Sequence, residues 1–359
     1  MHYRMDRENG HFKVTVIVLT YNSSKYLDGC FGTLERMDRV GLDVEVVAVD
    51  NGSSDGTPDE IRRRWPAVKV MDSGGNIGFA AGNNLAMRRA MDAGRDFVFL
   101  LNHDTEVEPG FLREAVRVME SDPKIGSVQS LLLLHPERDL VNSAGNAIHF
   151  LGFSYCMDYR KRATDIDRET TRDIPSASGA AVLYRVDALR RTGLLDDSLF
   201  MYHEDLDLGW RLRLCGYRNV LAPKSVVYHK YEFSRSIAKY YYMERNRYIV
   251  LLKNMRLWTF VVIAPGLVIT EAVLMAAAFR GGWWRKKFGA LAYFLDPRPW
   301  RRILKERGSV EKMRQVSDRE IVRLFTPVIR DQESTSLFAH FVANPLMEAT
   351  WRLMRFLIV

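Results

Sequence analysis

The stretch AVDNGSSDGT, residues 48–57, shows the pattern on which the whole chain is built. An apolar run stops at Asp50 and passes directly into Asn51, glycines and serines, which are typical of tight loops. An aspartate in this position either caps the following turn through its own side chain or faces a polar ligand. The loop leads into a helix, where backbone N–H groups are available to an anion. The local sequence leaves both interpretations of Asp50 open.

The same alternation of an apolar run, a polar loop and an amphipathic stretch recurs along residues 14–134. The helical patterns lie near residues 25–37, 58–65, 80–93 and 109–121, and the apolar runs are VTVIVLTY, VEVVAVDN, VKVMDS, FVFLLNHD and IGSVQSLLLL. Strands that are apolar nearly throughout are buried on both faces, and strands that alternate with helices form mainly parallel sheets. We therefore predict an α/β fold with a mixed, mainly parallel sheet flanked by helices.

The second half of the chain is less regular. Beyond about Asn142 the alternation fades, and the strongly charged residues 157–173 predict a surface loop. Order resumes at SASGAAVLYR, and the pattern that follows predicts helices near 187–192 and 204–215, a strand at 219–229 and a long helix from about 236 to 255.

Three of the predicted strands end in polar residues. The carboxyl ends of neighbouring parallel strands open onto one edge of the sheet, and ligand crevices of α/β proteins lie at that edge. We therefore expect one polar ligand site there. The residues are Thr20, Tyr21 and Asn22 after the first strand, Asp50 and Asn51 after the second, and Asn102, His103 and Asp104 after the fourth.

The glycine-dense stretch GGNIGFAAGNN, residues 74–84, opens a helix. It matches neither GxGxxG nor GxxxxGK[ST], which argues against a dehydrogenase-type dinucleotide fold and against a Walker ATPase. Two interpretations stay open. The stretch is either a phosphate cradle, or its glycines, such as Gly78 and Gly82, permit close packing of a helix on the sheet.

Acidic and imidazole side chains supply candidates for metal binding and catalysis. Asp104 follows a strongly apolar run, so we expect it to meet solvent or a cation, such as Mg²⁺ or Mn²⁺ on a diphosphate. His229 ends a strand, and it is a ligand only if it converges on Asp104. Four acidic or imidazole groups lie at the start of a helix whose dipole favours carboxylates, and one of them is a candidate base: His203, Glu204, Asp205 and Asp207.

The bulk composition narrows the class of protein. The chain has 359 residues, 47% of them hydrophobic, and three cysteines in no metal-binding or disulfide-framework spacing, which predicts a reducing compartment. Charges interrupt the first residues, so we predict no secretion signal and a cytoplasmic protein. The net charge is +8, and residues 280–330 hold 14 Lys or Arg against 5 Asp or Glu. Without a recognisable nucleic-acid module, this basic segment indicates an anionic membrane surface or a merely solvated helix pair.

Residues 257–279 form an apolar run with a single charge, Glu271, and an interior Pro265. The run is long enough to cross a bilayer. The proline, the glutamate and the basic, Trp-rich continuation RGGWWRKKFG equally suit a kinked segment that lies in the membrane interface. A buried helix of a C-terminal domain is the third alternative.

Taken together, the motifs resemble the family 2 glycosyltransferases, with the closest similarity to the bacterial rhamnosyltransferase-like branch. They are VIVLTYN, VAVDNGSSDGT, NIGFAAGNN, LLNHDT, SGAAVLYR, HEDLDLGWRLRLCGY, VYH and RNRYIVLLKN. The resemblance covers residues 14–255 and implies a GT-A fold. Within that range it implies a nucleotide-sugar-binding half (14–134) and an acceptor-binding and catalytic half (135–255). The flanking segments are predicted from composition alone, as a leader (1–13) and a helical, basic, membrane-associating C-terminal region (256–359).

The resemblance implies a role for each matching residue. Asp205 corresponds to the catalytic base, and Asp104 with His229 to ligands of the divalent ion. The residues implied on the donor side are Thr20, Tyr21, Asn22, Asp50, Asn51, Asn76, Gly78 and Asn102. The residues implied on the acceptor or diphosphate side are Ser178, Gly179, Glu204, Trp210 and Arg211. Asn102 departs from a full DxD motif, which makes His229 more important for the metal.

The implied reaction is an inverting, metal-dependent transfer of rhamnose or a similar hexose. The donor would be dTDP-rhamnose or a UDP-sugar. The apolar, basic segment 257–330 indicates that the acceptor is a glycan or lipid-linked sugar in cell-envelope polysaccharide synthesis at the inner face of the cell membrane. A non-catalytic sugar-nucleotide-binding scaffold is the alternative. A processive polymerase of this family would bring several membrane spans and a Gln-x-x-Arg-Trp motif, and the sequence has neither.

Overall fold

The computed structural model describes residues 11–231, 240–329 and 344–359. The strands are β1 (Phe12–Thr20), β2 (Leu42–Asp50), β3 (Lys69–Asp72), β4 (Phe97–Asn102), β5 (Thr105–Val107), β6 (Ile125–Leu134), β7 (Val141–Ser143), β8 (Asn146–His149), β9 (Ser154–Cys156), β10 (Arg172–Asp173), β11 (Ala181–Arg185), β12 (Arg218–His229) and β13 (Phe325–Thr326). The helices are α1 (Leu27–Glu35), α2 (Thr57–Arg64), α3 (Phe79–Asp92), α4 (Phe111–Glu120), α5 (Val186–Thr192), α6 (Glu204–Leu214), α7 (Tyr240–Asn254), α8 (Leu257–Arg280), α9 (Trp284–Ala292), α10 (Pro297–Met313), α11 (Asp318–Ile321) and α12 (Asn344–Met354).

The main sheet has the order β10-β12-β6-β11-β4-β1-β2-β3, with β5 paired to β12 and β7 to β6. Strands β4, β1, β2 and β3 are parallel to their neighbours in that run, whereas β11 is antiparallel to both β4 and β6. A smaller sheet has the order β13-β8-β9. The predicted α/β fold with a mixed sheet and flanking helices is confirmed.

The side chains of β1 show why helices cover both faces of this sheet. Val14, Val16 and Val18 point into a cluster that contains residues of α1 and α4, whereas Ile17 and Leu19 point into one that contains residues of α3 and α5. Successive side chains of a strand alternate between faces, so a strand that is apolar at every position needs an apolar cover on each side.

The strand registers gather the predicted polar residues at one edge of the sheet. Thr20 pairs with Asp50 across β1 and β2, and Asn102 pairs with Leu19 across β4 and β1. Because β11 runs in the opposite direction, it begins at this edge, one residue after Ser178 and Gly179. The edge therefore receives residues from both halves of the chain.

The segment 157–173 is more ordered than its charge predicted, which corrects the expectation of a plain surface loop. Arg172 pairs with Leu221, so β10 extends the main sheet, and Leu140 bridges to Arg162. The Arg172 guanidinium contacts Asp158 and donates to the Ala144 carbonyl at 2.8 Å. Ion pairs such as Arg172–Asp158 and Lys161–Asp158 therefore help to fix the path of this segment.

The C-terminal region packs on the second half of the chain. A third apolar cluster joins Trp210 of α6, Ile249 of α7, Ile263 of α8, Phe325 of β13 and Trp351 of α12. The predicted helical, partly apolar extension is thus confirmed. The predicted leader (1–13) falls mostly outside the described residues, although β1 already includes residues 12–13. The start of the predicted long helix, residues 236–239, also lies outside them.

Candidate active site

Asp50 fixes the loop that follows β2. Its carboxylate accepts from Thr20 Oγ1 at 3.2 Å, from the Ser53 N–H at 3.0 Å and from Ser53 Oγ at 2.6 Å. The aspartate therefore does cap the turn, as the local alternative predicted. An ionised carboxylate has about four acceptor positions, so capping leaves one of them for a ligand. The predicted role of Asp50 in donor binding stays a prediction.

The loop after β1 is tied to the loop after β2. Asn22 has a φ of +48° and accepts the Ser54 N–H on Oδ1 at 2.8 Å. Its own N–H is donated to Ser53 Oγ at 3.0 Å. Tyr21, between the strand and this link, is 45% exposed. The exposed ring thus stands on a loop with a fixed backbone beside the sheet edge.

Asn51 holds the glycine-rich loop against the same edge. Its Nδ2 donates to Asn76 Oδ1 at 3.1 Å, and its Oδ1 accepts the Ile77 N–H at 3.0 Å. Gly78 has a φ of +90°, and a Cβ there would lie 2.5 Å from the ring of Phe200. The Phe200 carbonyl also accepts the N–H of Phe79, the first residue of α3, at 2.6 Å.

The glycines of this loop therefore serve close packing. A Cβ on Gly82 would lie 2.5 Å from Leu19 Cδ1, so glycine lets α3 approach β1. Because Phe200 takes the N–H groups of Phe79 and Ala80, those two groups are not available to a phosphate. The sequence left open a phosphate cradle or close packing, and the contacts of Gly78 and Gly82 support close packing.

Asp104 and His229 converge, as the sequence analysis required for a shared metal role. His229 pairs with Thr105 across β12 and β5. This register brings His229 Nε2 to 3.3 Å from Asp104 Oδ1. Both side chains are buried, and His229 Nδ1 contacts Asn142 Oδ1 at 2.9 Å. Asn102 ends β4 two residues before Asp104 and is partly exposed.

The chemistry of this pair fits a divalent cation. The contact of Nδ1 with Asn142 fixes the orientation of the imidazole ring, so that Nε2 faces the Asp104 carboxylate. A cation between a lone pair and a carboxylate stabilises both. Within the described ranges no three His, Cys, Asp or Glu side chains form a metal-binding group. Magnesium commonly uses one or two protein ligands and completes its shell with phosphate oxygens and water.

Asp205 lies in the first turn of α6 and is partly exposed. Its Oδ2 accepts the Gly179 N–H at 3.0 Å and lies 3.5 Å from Asn146 Nδ2, while its Oδ1 accepts the Leu206 N–H at 2.7 Å. Burial raises the pKa of this carboxyl, although the donated N–H groups act in the opposite direction. A raised pKa makes Asp205 a stronger proton acceptor.

Glu204, the preceding residue, has a different environment. It is 6% exposed, and its Oε2 has no hydrogen-bond partner among the described residues. Burial, followed by the negative charge of Asp205, raises the pKa of Glu204 well above its ordinary value. Glu204 is thus a buried carboxyl, and its predicted acceptor-side role stays a prediction.

A buried polar bridge links the Asp104–His229 pair to Asp205, and the sequence analysis missed it. Asn142, which holds His229, is followed by Ser143, whose Oγ donates to Asn146 Oδ1 at 3.3 Å. Asn146 in turn approaches Asp205. Gln129 Nε2 donates to the Ser143 carbonyl at 3.2 Å, while its Oε1 accepts the Ser178 N–H at 2.7 Å. The only sequence signal was the small, polar run NSAGN at 142–146.

A second missed group holds the loop that leads into Asp205. Phe200, Tyr202 and His203 all have positive φ values, between +64° and +68°, a region that costs most side chains free energy. Asn246 Nδ2 donates to the carbonyls of residues 199, 201 and 202 at 2.7–2.9 Å. Arg245 donates to the carbonyls of residues 198 and 199 and to Asn246 Oδ1. These residues belong to the RNRYIVLLKN motif, which carried no individual role in the sequence analysis.

Trp210 and Arg211 require a correction, because neither lies where acceptor or diphosphate contacts were predicted. Trp210 is buried edge-on against Phe325 in the third apolar cluster. The Arg211 guanidinium donates hydrogen bonds to Asp207 Oδ2 at 2.8 Å and to the carbonyls of residues 192 and 194 at 2.6 and 2.7 Å. A cavity of about 230 Å³ beside Arg211 and Lys253 is lined by six charged and six uncharged residues, and Asp205 is not part of its lining. Lys253 in this lining is paired with Asp196 at 2.6 Å.

The sequence of the chain is similar to those of known proteins. The sequence model described as Glycosyl transferase family 2 matches residues 15–193. The chain is 28% identical over 235 residues to an N-acetylglucosaminyl-diphospho-decaprenol L-rhamnosyltransferase of Mycobacterium tuberculosis, covering 60% of this chain and 75% of the relative. It is 25% identical over 208 residues to the low-salt glycan biosynthesis hexosyltransferase Agl10 of Haloferax volcanii, covering 56% and 61%.

Solved structures show the same fold. The mannosyltransferase PcManGT from Pyrobaculum calidifontis, in complex with GDP-Man and Mn²⁺, matches with a TM-score of 0.52 at 20% identity over 85% of this chain and 86% of that one. GalNAc-T7 with UDP, GalNAc and Mn²⁺ matches with a TM-score of 0.54 at 16% identity, over 68% of this chain and 48% of that one. The chain has the GT-A fold, belongs to glycosyl transferase family 2 and is a glycosyltransferase.

Proposed function

We propose that the enzyme transfers rhamnose or a similar hexose, with inversion, from a nucleoside-diphosphate sugar to a lipid-linked or glycan acceptor. The observation that supports this best is the environment of Asp205. It is a partly exposed carboxylate with a raised pKa that is held by the Gly179 N–H, and a polar bridge joins it to the Asp104–His229 pair. A base on one side and a candidate cation site on the other are the two parts that a single displacement needs.

In the proposed reaction the acceptor hydroxyl oxygen attacks the anomeric carbon of the donor. Its proton passes to the Asp205 carboxylate as the new C–O bond forms. The bond between the anomeric carbon and the diphosphate oxygen breaks, and the nucleoside diphosphate leaves with the electron pair. Asp104 and His229 would hold a Mg²⁺ or Mn²⁺ ion, which offsets negative charge on a leaving diphosphate when bound. One displacement inverts the anomeric configuration.

The donor side is assigned to the sheet edge formed by β1, β2 and the glycine-rich loop. Tyr21 offers an exposed aromatic face, and Asp50 retains an acceptor position for a base imide or ribose hydroxyl. The similarity to a rhamnosyltransferase favours dTDP-rhamnose, with UDP-sugars as the next candidates. Asn51 and Asn76 position this edge through the loop, so we propose that they act on the donor indirectly.

The acceptor is proposed to be lipid-linked, as in cell-envelope polysaccharide synthesis at the cytoplasmic face of a membrane. The relative from Mycobacterium tuberculosis carries a diphospho-decaprenol acceptor in its name. In the described part of this chain, α8 is the one helix that is long and apolar enough to cross a membrane. An anionic membrane surface is proposed as the partner of the basic C-terminal region.

The experiment is a transfer assay with dTDP-rhamnose and UDP-sugars, Mn²⁺ or Mg²⁺, and a polyprenyl-diphosphate-linked acceptor sugar. We expect a product whose anomeric configuration, read by proton NMR, is opposite to that of the donor. Retained configuration would contradict the single displacement. Calorimetric donor binding without transfer over the whole panel would instead favour the non-catalytic scaffold.

A further inference from the structure

Helix α8 carries a continuous apolar stripe on its outer face. The exposed positions follow one another at intervals of three or four residues along the whole helix, which places them on one side. They are Leu257, Val261, Pro265, Val268, Ala272 and Ala276. Val268 is 69% exposed, and 22% of the most apolar window of the helix is buried. A core helix would be mostly covered, so the third alternative of the sequence analysis, a buried helix, is wrong.

We propose that α8 lies parallel to an anionic lipid bilayer, with this stripe in the interface, and does not cross it. This proposal rests on the proposed function, because a lipid-linked acceptor lies in a membrane and the enzyme must bind there to reach it. The test below measures the geometry of membrane contact and not sugar transfer, so the proposal and the proposed function can fail separately.

The inner face of α8 packs on the enzyme from Thr259 to Leu267 and again at Ala278, which is the first argument against a crossing. Thr259, Ile263, Leu267 and Ala278 are buried, and a Cβ on Gly266 would lie 3.4 Å from Phe150 and Leu151. A spanning helix would leave this face to the lipid, or would draw the β8–β9 region into the hydrocarbon.

The second argument is a buried charge cluster on the inner side of α8. Glu271 lies 2.5 Å from Arg247 of α7 and 2.5 Å from Lys287 of α9, and Glu244 contacts both cations. Arg247 and Lys287 are fully buried. Four charges in hydrocarbon would be costly. With α8 in the plane of the interface, the cluster stays inside the protein, between the helix and the catalytic half.

Neighbouring elements extend the stripe into an apolar platform, which we define as the α8 stripe with Trp284, Phe288, Phe356 and Leu357. Trp284 and Phe288 each pack against Phe279 at the end of α8, with ring centroids 5.9 and 6.1 Å apart. The C-terminal residues are joined to the other end, where Trp258 Nε1 donates to the Leu357 carbonyl at 2.8 Å. Contiguous exposed apolar surface of this kind is unusual on a soluble monomer.

Charge at the edge of the platform indicates which partner covers it. Arg285 lies over the Trp284 ring at 5.3 Å and Arg355 over the Phe356 ring at 5.3 Å, both exposed, and Arg280 ends α8. Aromatic and basic side chains around an apolar face are typical of helices in the headgroup region of anionic membranes. A second copy of the chain would place these cations against one another.

The decisive experiment measures depth along α8. Single nitroxide labels at residues 261, 268 and 276 are read by EPR collision accessibility on vesicles of phosphatidylethanolamine and phosphatidylglycerol. An in-plane helix places all three labels at the same depth. A crossing helix separates the first and last by about 22 Å, at 1.5 Å per residue. Equal depths support the proposal, and a depth gradient overturns it.

A matched pair of variants tests the surface itself. Val268→Glu should weaken flotation with these vesicles about tenfold or more, because a carboxylate then faces the interface. Val40→Glu makes the same change at an equally exposed valine, 73% accessible, in the loop between α1 and β2, and should bind as the unmodified enzyme does. Unchanged binding by Val268→Glu would overturn the proposal. The proposal would also be overturned if the unmodified enzyme formed a dimer in the absence of vesicles and Val268→Glu dissociated that dimer.

Discussion

Asp205 and Asp207 lie two residues apart on α6, and their environments are opposite. A step of two residues rotates a helix by about 200°, so the first carboxylate faces the sheet edge and the second faces the protein interior. Asp205 is partly exposed and bonded to backbone N–H groups. Asp207 is fully buried and bonded to Arg211 at 2.8 Å, Lys253 at 3.0 Å and Asn254 at 2.8 Å.

The difference between the two carboxylates lies in their partners. Burial raises the pKa of Asp205, and within the described ranges no cation acts on this carboxyl to lower it. Burial acts in the same direction on Asp207, but Arg211 and Lys253 outweigh it and lower the pKa of that carboxyl. A carboxylate without a cation is ready to take a proton, whereas one between two cations serves stability.

The largest expected effect is on catalysis at Asp205. Asp205→Asn keeps the shape of the side chain and an oxygen for the Gly179 N–H, but it removes the proton acceptor. We expect the transfer rate to fall about 10³-fold, as is common when a general base is lost, while donor binding measured by calorimetry is retained. A variant that has also lost donor binding would locate Asp205 on the donor instead.

Asp207→Asn should show the converse, a loss of stability with chemistry retained. Removing one partner of a buried ion pair costs about 3 kcal/mol, because Lys253 and Arg211 lose their shared counter-charge. Urea unfolding measures this loss. The control is Asp59→Asn, which breaks an exposed pair with Arg62 at 2.8 Å and should change the free energy of unfolding by less than about 1 kcal/mol. Similar losses in both variants would contradict the comparison.

Two asparagines on α7, Asn246 and Asn254, test the same difference between Asp205 and Asp207. Asn246→Ala frees the strained loop before Asp205, and we expect kcat to fall about 30-fold because the base is misplaced. The acidic limb of the pH–rate profile should also move to lower pH, since a better hydrated Asp205 has a lower pKa. Asn254→Ala is the matched control, equally buried but bonded to Asp207. It should lower stability and leave both kinetic readouts unchanged.

The smallest expected effect is on the pH dependence of stability, and its sign differs between the two sites. The raised pKa of Asp205 means that the folded state binds its proton more tightly, so ionisation above that pKa opposes folding. At neutral pH, Asp205→Asn should therefore have a slightly larger free energy of unfolding than the unmodified enzyme. This difference should disappear as the pH is lowered, because the unmodified carboxyl is then protonated in both states.

For Asp207 the lowered pKa contributes stability above the ordinary carboxyl range, and this contribution is lost as pH falls through the lowered pKa. The deficit of Asp207→Asn should shrink in acid. Unfolding free energies measured over pH test both signs, and two differences of the same sign would contradict the assignment.

The sequence predicted most of the sheet, because apolar runs such as IGSVQSLLLL can only be buried strands, and that run is β6 residue for residue. The shared edge follows from the rule that the carboxyl ends of parallel strands lie together. The meeting of Asp104 and His229, by contrast, was implied by the family resemblance, because the residues alone left the role of His229 open. The order of the segment 157–173 was missed because it comes from the pairing of β10 with β12 and from contacts such as the Asp173–Arg218 ion pair, which no local pattern encodes.

The orientation of α6 was beyond the sequence for a related reason. Periodicity separates Asp205 from Asp207, but only the packed neighbours decide which of the two faces the crevice. Trp210 and Arg211 were assigned to the site by resemblance, and the positions of β13 and α7 place them in the interior. Asn142, Asn146 and Asn246 act through hydrogen bonds that span the fold, so their roles follow only from coordinates.

The most direct test of the account is chemical rescue of the base. In Asp205→Ala the partly exposed position leaves room for formate, and the account predicts that formate restores sugar transfer in this variant in a concentration-dependent manner. Formate should have no such effect on Asp207→Ala. Transfer by Asp205→Ala at the unmodified rate without formate, or rescue of Asp207→Ala instead, would contradict the assignment of Asp205 as the base.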